Sequence, residues 1–257
     1  MKDLFSVKGK VAVVTGGSRG IGEMMAEGLV ANGARVYISA RKADVCDATA
    51  ERLSKMGECI SVVADLSAAE GIDSLVQEIS AREGQLDILV NNAGATWGAP
   101  LEDFPPEAFD KVMNVNVKAV FELTRKFLPL LRASASAPDP ARVIVTSSVE
   151  GVITSSQSNY PYSASKAGVI HLSKHLASTL ASDQITVNCI APGPFESKMM
   201  AFVTDDPEKR AALAASLPLQ RIGAPEDMAG AVIYLSSKAG AFVTGQTLVV
   251  DGGLTVG

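Results

Sequence analysis

Seven short runs rich in β-branched residues punctuate this chain, at 11–15, 35–40, 60–64, 86–90, 142–146, 185–190 and 247–250. Several are almost continuously apolar, as parallel strands covered on both faces must be. Between them lie helical patterns. Ile21, Met24, Met25, Gly28 and Leu29 share one helix face, and Asn32-Gly33 supplies a stop. A strand–helix–strand rhythm with right-handed crossovers predicts a Rossmann-type, doubly wound α/β fold: a seven-stranded parallel sheet with helices on both faces. The 257 residues, 47% of them hydrophobic, suit one domain spanning 1–257, with neither an internal repeat nor a dividing linker.

Two segments depart from the rhythm. Residues 133–141, ASASAPDPA, read as a small polar loop between a long helix and the fifth strand. Residues 194–222 follow the sixth strand and carry Phe195, Met199, Met200, Phe202 and Val203 before an Asp-Asp-Pro turn. A long connection beyond the carboxyl end of a strand is where such sheets bind ligands, so this segment reads as a substrate lid.

Composition excludes several classes. Cys46, Cys59 and Cys189 are odd in number and far apart, which predicts a reducing, cytoplasmic setting without a disulfide framework or structural zinc. A net charge of −5 disfavours a nucleic-acid partner, and no apolar run approaches a membrane span. His171 and His175 are four apart on a helical stretch but lack a third ligand, so no metal is expected.

Thr15-Gly-Gly-Ser-Arg-Gly-Ile-Gly22 follows the first strand and opens the first helix. Gly16, Gly20 and Gly22 would let the backbone turn tightly toward a pyrophosphate, whose charge a helix N-terminus favours. The spacing is GxxxGxG rather than GxGxxG, so its place between strand and helix carries the reading. About 20 residues on, a carboxylate would grip the ribose 2′-hydroxyl of NAD. Here the second strand ends Ser39-Ala40-Arg41-Lys42. Arg41, with Arg19, would pair instead with a 2′-phosphate, which makes NADP(H) the expected cofactor. Asp44 is read as a cap of the next helix.

Tyr162-Ser-Ala-Ser-Lys166 places a phenol and an ammonium four residues apart, on one face of a helix that spans 164–181 by composition. A cation beside a phenol lowers its pKa from roughly 10 toward the working pH, making it a usable general acid or base. Tyr160 is spaced wrongly from Lys166 for the same face.

With these motifs in order, the chain resembles the short-chain dehydrogenases/reductases from Lys10 to Gly253. The landmarks are TGGSRGIG at 15–22, Asp65-Leu66, NNAG at 91–94 and Asn116 in MNVNVKAVF. Ser148 in VIVTSSVEG, YSASK at 162–166, Pro192-Gly193 and VDGG at 250–253 complete the set. The resemblance implies Tyr162 as proton donor and Lys166 as ligand of the nicotinamide ribose. It implies Ser148, chosen over Ser147 because it begins the SVxG pattern, as donor to the substrate carbonyl. Asn116 would hold a water in a proton relay. Gly16, Ser18, Arg19, Gly20, Ile21 and Gly22 would face the cofactor, Asp65 and Leu66 the adenine, and Asn92, Ala93 and Gly94 the adjoining ribose. Pro192 and Gly193 would line the nicotinamide, and Phe195 would also bind the cofactor.

Within the family, NNAGATWGAPLEDFP and FLPLLRASASAPDPARV most resemble the 3-oxoacyl-[acyl-carrier-protein] reductases of the rhamnolipid-biosynthesis type. That implies a small or carrier-bound acyl thioester as substrate, with Trp97, Ser148, Tyr162 and Met199 against it. A sugar, polyol or steroid dehydrogenase is the alternative, and a non-catalytic NADP(H) sensor the remoter one. The resemblance also implies a homotetramer, with helices around 107–132 and 160–180 forming one interface.

Overall fold

The computed structural model describes residues 3–197 and 200–256, with Phe202 described through its backbone alone. Seven strands form one sheet: β1 (Val11–Thr15), β2 (Arg35–Ala40), β3 (Cys59–Val63), β4 (Ile88–Asn91), β5 (Ala141–Thr146), β6 (Ile185–Pro192) and β7 (Thr247–Val250). Every neighbouring pair is parallel, in the order β3-β2-β1-β4-β5-β6-β7. The chain therefore winds outward from β1 to β3 and then restarts on the other side with β4. The gap between β1 and β4 is the switch point, where strand-to-helix loops diverge and open a crevice.

Successive strand residues serve opposite layers. Val11 and Val13 join a core with Leu75 and Ile79 of α3 (Ala69–Arg82), Leu123 and Phe127 of α5 (Ala119–Ser134), and Val169 of α6 (Tyr160–Leu180). Ala12 and Val14 join Met25 and Leu29 of α1 (Gly20–Ala31), Ala50 of α2 (Ala43–Leu53), and Val232 of α9 (Pro225–Ser236). This period-two division is why the strands read as continuous apolar runs. The remaining helices are α4 (Pro106–Met113), α7 (Ala201–Thr204) and α8 (Pro207–Ser216). Asp206 caps α8 by accepting from the Glu208 and Lys209 amides, with Pro207 at the first helical position.

Several boundaries differ from the sequence reading. β4 starts at Ile88 because the Leu86 amide turns to the Leu130 carbonyl and the Asp87 carboxylate accepts from the Val11 amide at 2.8 Å. The long helix expected around 107–132 is interrupted: α4 and α5 meet through a π-helical turn, Asn114–Lys118, which buries Asn116. Ala133 and Ser134 belong to α5 rather than to the loop. Asp44 does not cap α2; Lys42 stands at the cap without a side-chain bond, and Asp44 lies in the first turn, where its charge suits the dipole. The catalytic-motif helix starts at Tyr160, four residues before its composition suggested.

Candidate active site

The strand ends at the carboxyl edge are tied together by polar side chains. Thr15 Oγ1 accepts the amides of Asn92 and Ala93 at 2.9 and 3.0 Å and donates to the Val90 carbonyl. Asn92 Nδ2 donates to the Thr15 and Gly16 carbonyls. These bonds clamp the end of β1 to the loop after β4, directly at the switch point. The glycine turn is required locally. Gly16 and Gly20 have φ of +65° and +54°, and a Cβ on Gly22 would overlap the Gly16 carbonyl. Arg19 stands at the N-cap of α1 without a side-chain cap bond, so the first-turn amides remain available as donors.

Ser18 is buried, and its carbonyl accepts from Thr49 Oγ1; Ile21 is half-buried against the core. Arg19 and Arg41 are exposed and form no salt bridge among the described residues. Arg41 is near enough to Asp65 to act on its charge, and Ser67 holds that carboxylate below its ordinary pKa through its amide and hydroxyl. No acidic residue occupies the tip of β2. An amide-rich turn, an uncapped helix start and two unpaired guanidinium groups fit a dinucleotide bearing an extra phosphate. Three buried polar atoms without partners, Ser39 Oγ, Asn91 Oδ1 and Thr146 Oγ1, also lie at or next to the ends of β2, β4 and β5.

Not every residue nominated from sequence turns its side chain to this edge. Leu66 is buried in the core with Leu75 and Ile72, so only its backbone is available there. Phe195 is 2% exposed, bridged to Gly223 and packed on the layer formed by α1 and α9. Its ring anchors the segment after β6, so only its backbone is available to a cofactor. Pro192 ends β6, and Gly193 approaches Asp251 so closely that a Cβ would lie 2.6 Å from its Cα. Met199 lies outside the described residues.

Tyr162 and Lys166 share a face of α6, the ammonium 5.5 Å from the centre of the phenol ring. Lys166 is buried, and its Nζ donates to the Thr146 carbonyl at 2.7 Å. A Cβ on Gly94 would lie 3.7 Å from that Nζ, which places the NNAG loop beside the lysine. Ser147 and Ser148 divide their roles. The Ser147 hydroxyl donates to the Lys166 carbonyl at 2.8 Å and locks β5 to α6, whereas the Ser148 hydroxyl is near enough to the Tyr162 phenol to act on its proton.

One electrostatic expectation is corrected, that the phenol would be lowered by the neighbouring cation. Burial dominates the phenol, pushing Tyr162 up to about 12; the Ser148 hydroxyl lowers it and the Glu150 charge raises it. Burial likewise pulls Lys166 down to about 8. In the free chain, desolvation thus governs both groups. The Asn116 side chain is fully engaged within the protein. Its Oδ1 accepts the Ala95 amide at 2.8 Å, and its Nδ2 donates to the Ala95 carbonyl and to Ser165 Oγ, both at 2.9 Å. The side chain braces the NNAG loop to α6, so a water held by this residue would need its backbone carbonyl.

Sequence reasoning missed Thr15, Glu150 and Gly151. Gly151 touches the backbone of α6: a Cβ there would stand 2.6 Å from the Lys166 carbonyl carbon. Around the mouth, Trp97, Leu101, Val152, Ile153 and Tyr160 are exposed, and Tyr160 meets Phe104 edge-on at 5.9 Å. The segment after Phe195 lies over the glycine turn. A Cβ on Gly20 would be 3.1 Å from Ser197, and Ser197, Ala201 and Thr204 line a cavity with Met24 of α1.

Known proteins share this arrangement over the whole chain. A family model described as enoyl-(acyl carrier protein) reductase matches residues 16–255. The rhamnolipids biosynthesis 3-oxoacyl-[acyl-carrier-protein] reductase of Pseudomonas aeruginosa is 48% identical over 253 residues, covering 98% of this chain and 99% of that protein. The 3-oxoacyl-[acyl-carrier-protein] reductase FabG of Escherichia coli is 37% identical, covering 96% and 98%. Among solved structures, the Pseudomonas aeruginosa RhlG/NADP active-site complex superposes with a TM-score of 0.96 at 48% identity, covering 100% of both chains. With its sheet order, glycine turn and Tyr-x-x-x-Lys helix, the chain belongs to the short-chain dehydrogenase/reductase family.

Proposed function

We propose that this chain is an NADPH-dependent oxidoreductase that reduces a 3-oxoacyl thioester to a 3-hydroxyacyl thioester. The observation that carries the reading is the convergence of the Tyr162 phenol, the Ser148 hydroxyl and the Lys166 ammonium just beyond β5. A carbonyl oxygen gains negative charge as its carbon is reduced, and two hydroxyl donors aimed at one point stabilise that charge. Ser148 holds the oxygen and Tyr162 transfers its proton to it. With its pKa raised to about 12, the phenol is fully protonated at neutral pH, the state a proton donor needs. NADPH supplies the hydride, and the protein supplies position, proton and field.

Gly16, Ser18, Gly20, Ile21 and Gly22 frame the pyrophosphate site, while Arg19 and Arg41 take the 2′-phosphate. Asp65 and the backbones of Leu66, Asn92, Ala93 and Gly94 line the adenosine side, and Pro192 and Gly193 the nicotinamide side. The described residues of the 194–222 segment, Ser197, Ala201 and Thr204 among them, act as a lid over that edge. The 48% identity to a reductase of acyl-carrier-protein thioesters and the exposed Trp97, Val152 and Ile153 favour an apolar acyl chain over a sugar. The three free, buried cysteines suit a cytoplasmic setting, and no described helix is long and apolar enough to cross a membrane. Exposed Phe109 on α4 and Phe121 on α5 suit a homotetramer interface, which light scattering at micromolar concentration checks.

The test of function is NADPH oxidation at 340 nm with a medium-chain 3-oxoacyl thioester, beside Tyr162→Phe. Turnover that disappears in the variant is expected. Undiminished turnover in Tyr162→Phe would overturn the assignment of the proton donor. Turnover with sugars or polyols but not with thioesters would overturn the substrate class.

A further inference from the structure

Glu150 lies two residues beyond Ser148, in the 3-10 turn Val149–Gly151. Its amide donates to the Ser148 hydroxyl at 3.2 Å, so backbone and side chain of this turn are already coupled to the candidate carbonyl donor. Its carboxylate oxygen Oε2 accepts from Asn159 Nδ2 at 2.9 Å and from Ser163 Oγ at 3.0 Å. Those partners bracket Tyr162 in the first turn of α6. Asn159 stands at the N-cap of that helix without making a cap bond, its amide turned to Glu150 instead. The carboxylate thus sits at the positive end of a 21-residue helix, where a negative charge is favoured.

We propose that Glu150 is a positioning residue: it braces the Ser148 turn against the first turn of α6 and sets a fixed negative charge beside the Tyr162 phenol. The inference rests on the reductase reading above. The bracing follows from the two bonds on either side of Tyr162, together with the tight contact of Gly151 on the Lys166 backbone. The charge matters because a negative neighbour disfavours the phenolate. The other titratable groups around the phenol are Lys166 on α6 itself and the Cys189 thiol of β6, which lies near the lysine. The charges on α4 and the π-turn, Glu107, Asp110, Lys111 and Lys118, make no hydrogen bond or salt bridge to Glu150 or Tyr162.

The experiment compares the parent with Glu150→Gln and Glu150→Ala in the oxidative direction, with NADP⁺ and a 3-hydroxyacyl thioester across a pH series. Glutamine keeps an acceptor for Asn159 or Ser163 and removes the charge. Its rising limb of kcat/KM is expected to move to lower pH by about half a unit, or ~3-fold more rate on the limb. Glu150→Ala also loses the brace, and its kcat is expected to fall about tenfold with the KM for NADP⁺ unchanged. A Glu150→Gln profile that superimposes on the parent's would overturn the proposal, even if the alanine variant proves poorly folded. Tyr162→Phe runs alongside: if it keeps activity, the reductase reading fails; if it is inactive, only the role of Glu150 is being judged.

Discussion

The Lys166 ammonium points away from solvent and into the Thr146 carbonyl at 2.7 Å, on the floor of the site beside the Tyr162 ring. Its pKa falls from 10.5 to about 8 because burial disfavours the charged form and the neighbouring Cys189 only partly offsets it. The folded state therefore binds fewer protons than the unfolded chain between those values. Charged lysine costs stability at any pH below about 8, and the cost is relieved as the pH rises from there toward 10.5. That cost is on the order of 3 kcal/mol.

Lys166→Met removes the charge and leaves the Thr146 carbonyl unpaired, which returns about 1–3 kcal/mol of loss. The net expectation at pH 7 is a Tm higher by about 2–4 °C, together with at least a hundredfold, order-of-magnitude loss of kcat/KM. Calorimetry at pH 7 and pH 9.5 checks it, since the gain should shrink at the higher pH. A Tm that falls at both values would show that the lysine stabilises the fold rather than burdening it.

Tyr162 has the opposite sign. A phenol raised to about 12 keeps its proton in the folded chain over a range where the unfolded chain has lost it. For ketone reduction, which uses the protonated phenol, the tyrosine should impose no loss of kcat/KM below about pH 10. For alcohol oxidation, which uses the phenolate, kcat/KM should climb toward alkaline pH, with any limb near 8 belonging to Lys166. Paired profiles in the two directions test this. A reductive profile that falls through neutral pH would contradict a phenol held neutral by burial.

The charge at the adenosine end makes a separate prediction. Arg41 is exposed and free of any salt bridge among the described residues, at a strand tip that carries no carboxylate. A guanidinium on a phosphate is worth about 1.5–3 kcal/mol, so Arg41→Ala should raise the KM for NADPH roughly 10- to 100-fold. The KM for NADH should stay within about twofold, because the lost partner is the 2′-phosphate alone. Steady-state kinetics with both cofactors decide it; an unchanged NADPH constant would leave Arg41 a solvated loop charge.

Much of this could be read from the chain before its coordinates. Parallel strands buried on both faces must be apolar throughout, so runs such as 11–15 and 35–40 appear with their true limits. Tyr162 and Lys166 were legible because a helix converts a spacing of four into a shared face. The brace made by Asn116 was not, because its bonds to Ala95 and Ser165 span 21 and 49 residues and leave no periodic trace. Glu150 was hidden for the same reason, its partners lying 9 and 13 residues on across an irregular loop. The direction of the Tyr162 shift escaped because a sequence displays the neighbouring cation but not the loss of water around the phenol.

Gly151 offers the sharpest test of how finely the site is positioned. A Cβ at this position would meet the Lys166 carbonyl carbon at 2.6 Å, its oxygen at 2.7 Å and the Ala167 amide at 2.9 Å. Those atoms are backbone, and the Ser147 hydroxyl already holds the Lys166 carbonyl from β5 at 2.8 Å. Relief must come from a small separation of the Ser148 turn from α6, which moves Ser148 relative to Tyr162. Overpacking of this kind costs about 1–3 kcal/mol, within reach of a folded chain. Gly151→Ala should therefore fold and bind NADPH near the parent affinity, because the glycine turn and Arg41 lie elsewhere on the edge. Its kcat should fall about 10- to 100-fold, since a misplacement well under an ångström already weakens a two-donor grip on a carbonyl oxygen. Fluorescence titration of NADPH beside steady-state kinetics separates the two effects. A variant that binds and turns over like the parent would mean that the contact between Gly151 and α6 does not set the geometry of the reaction.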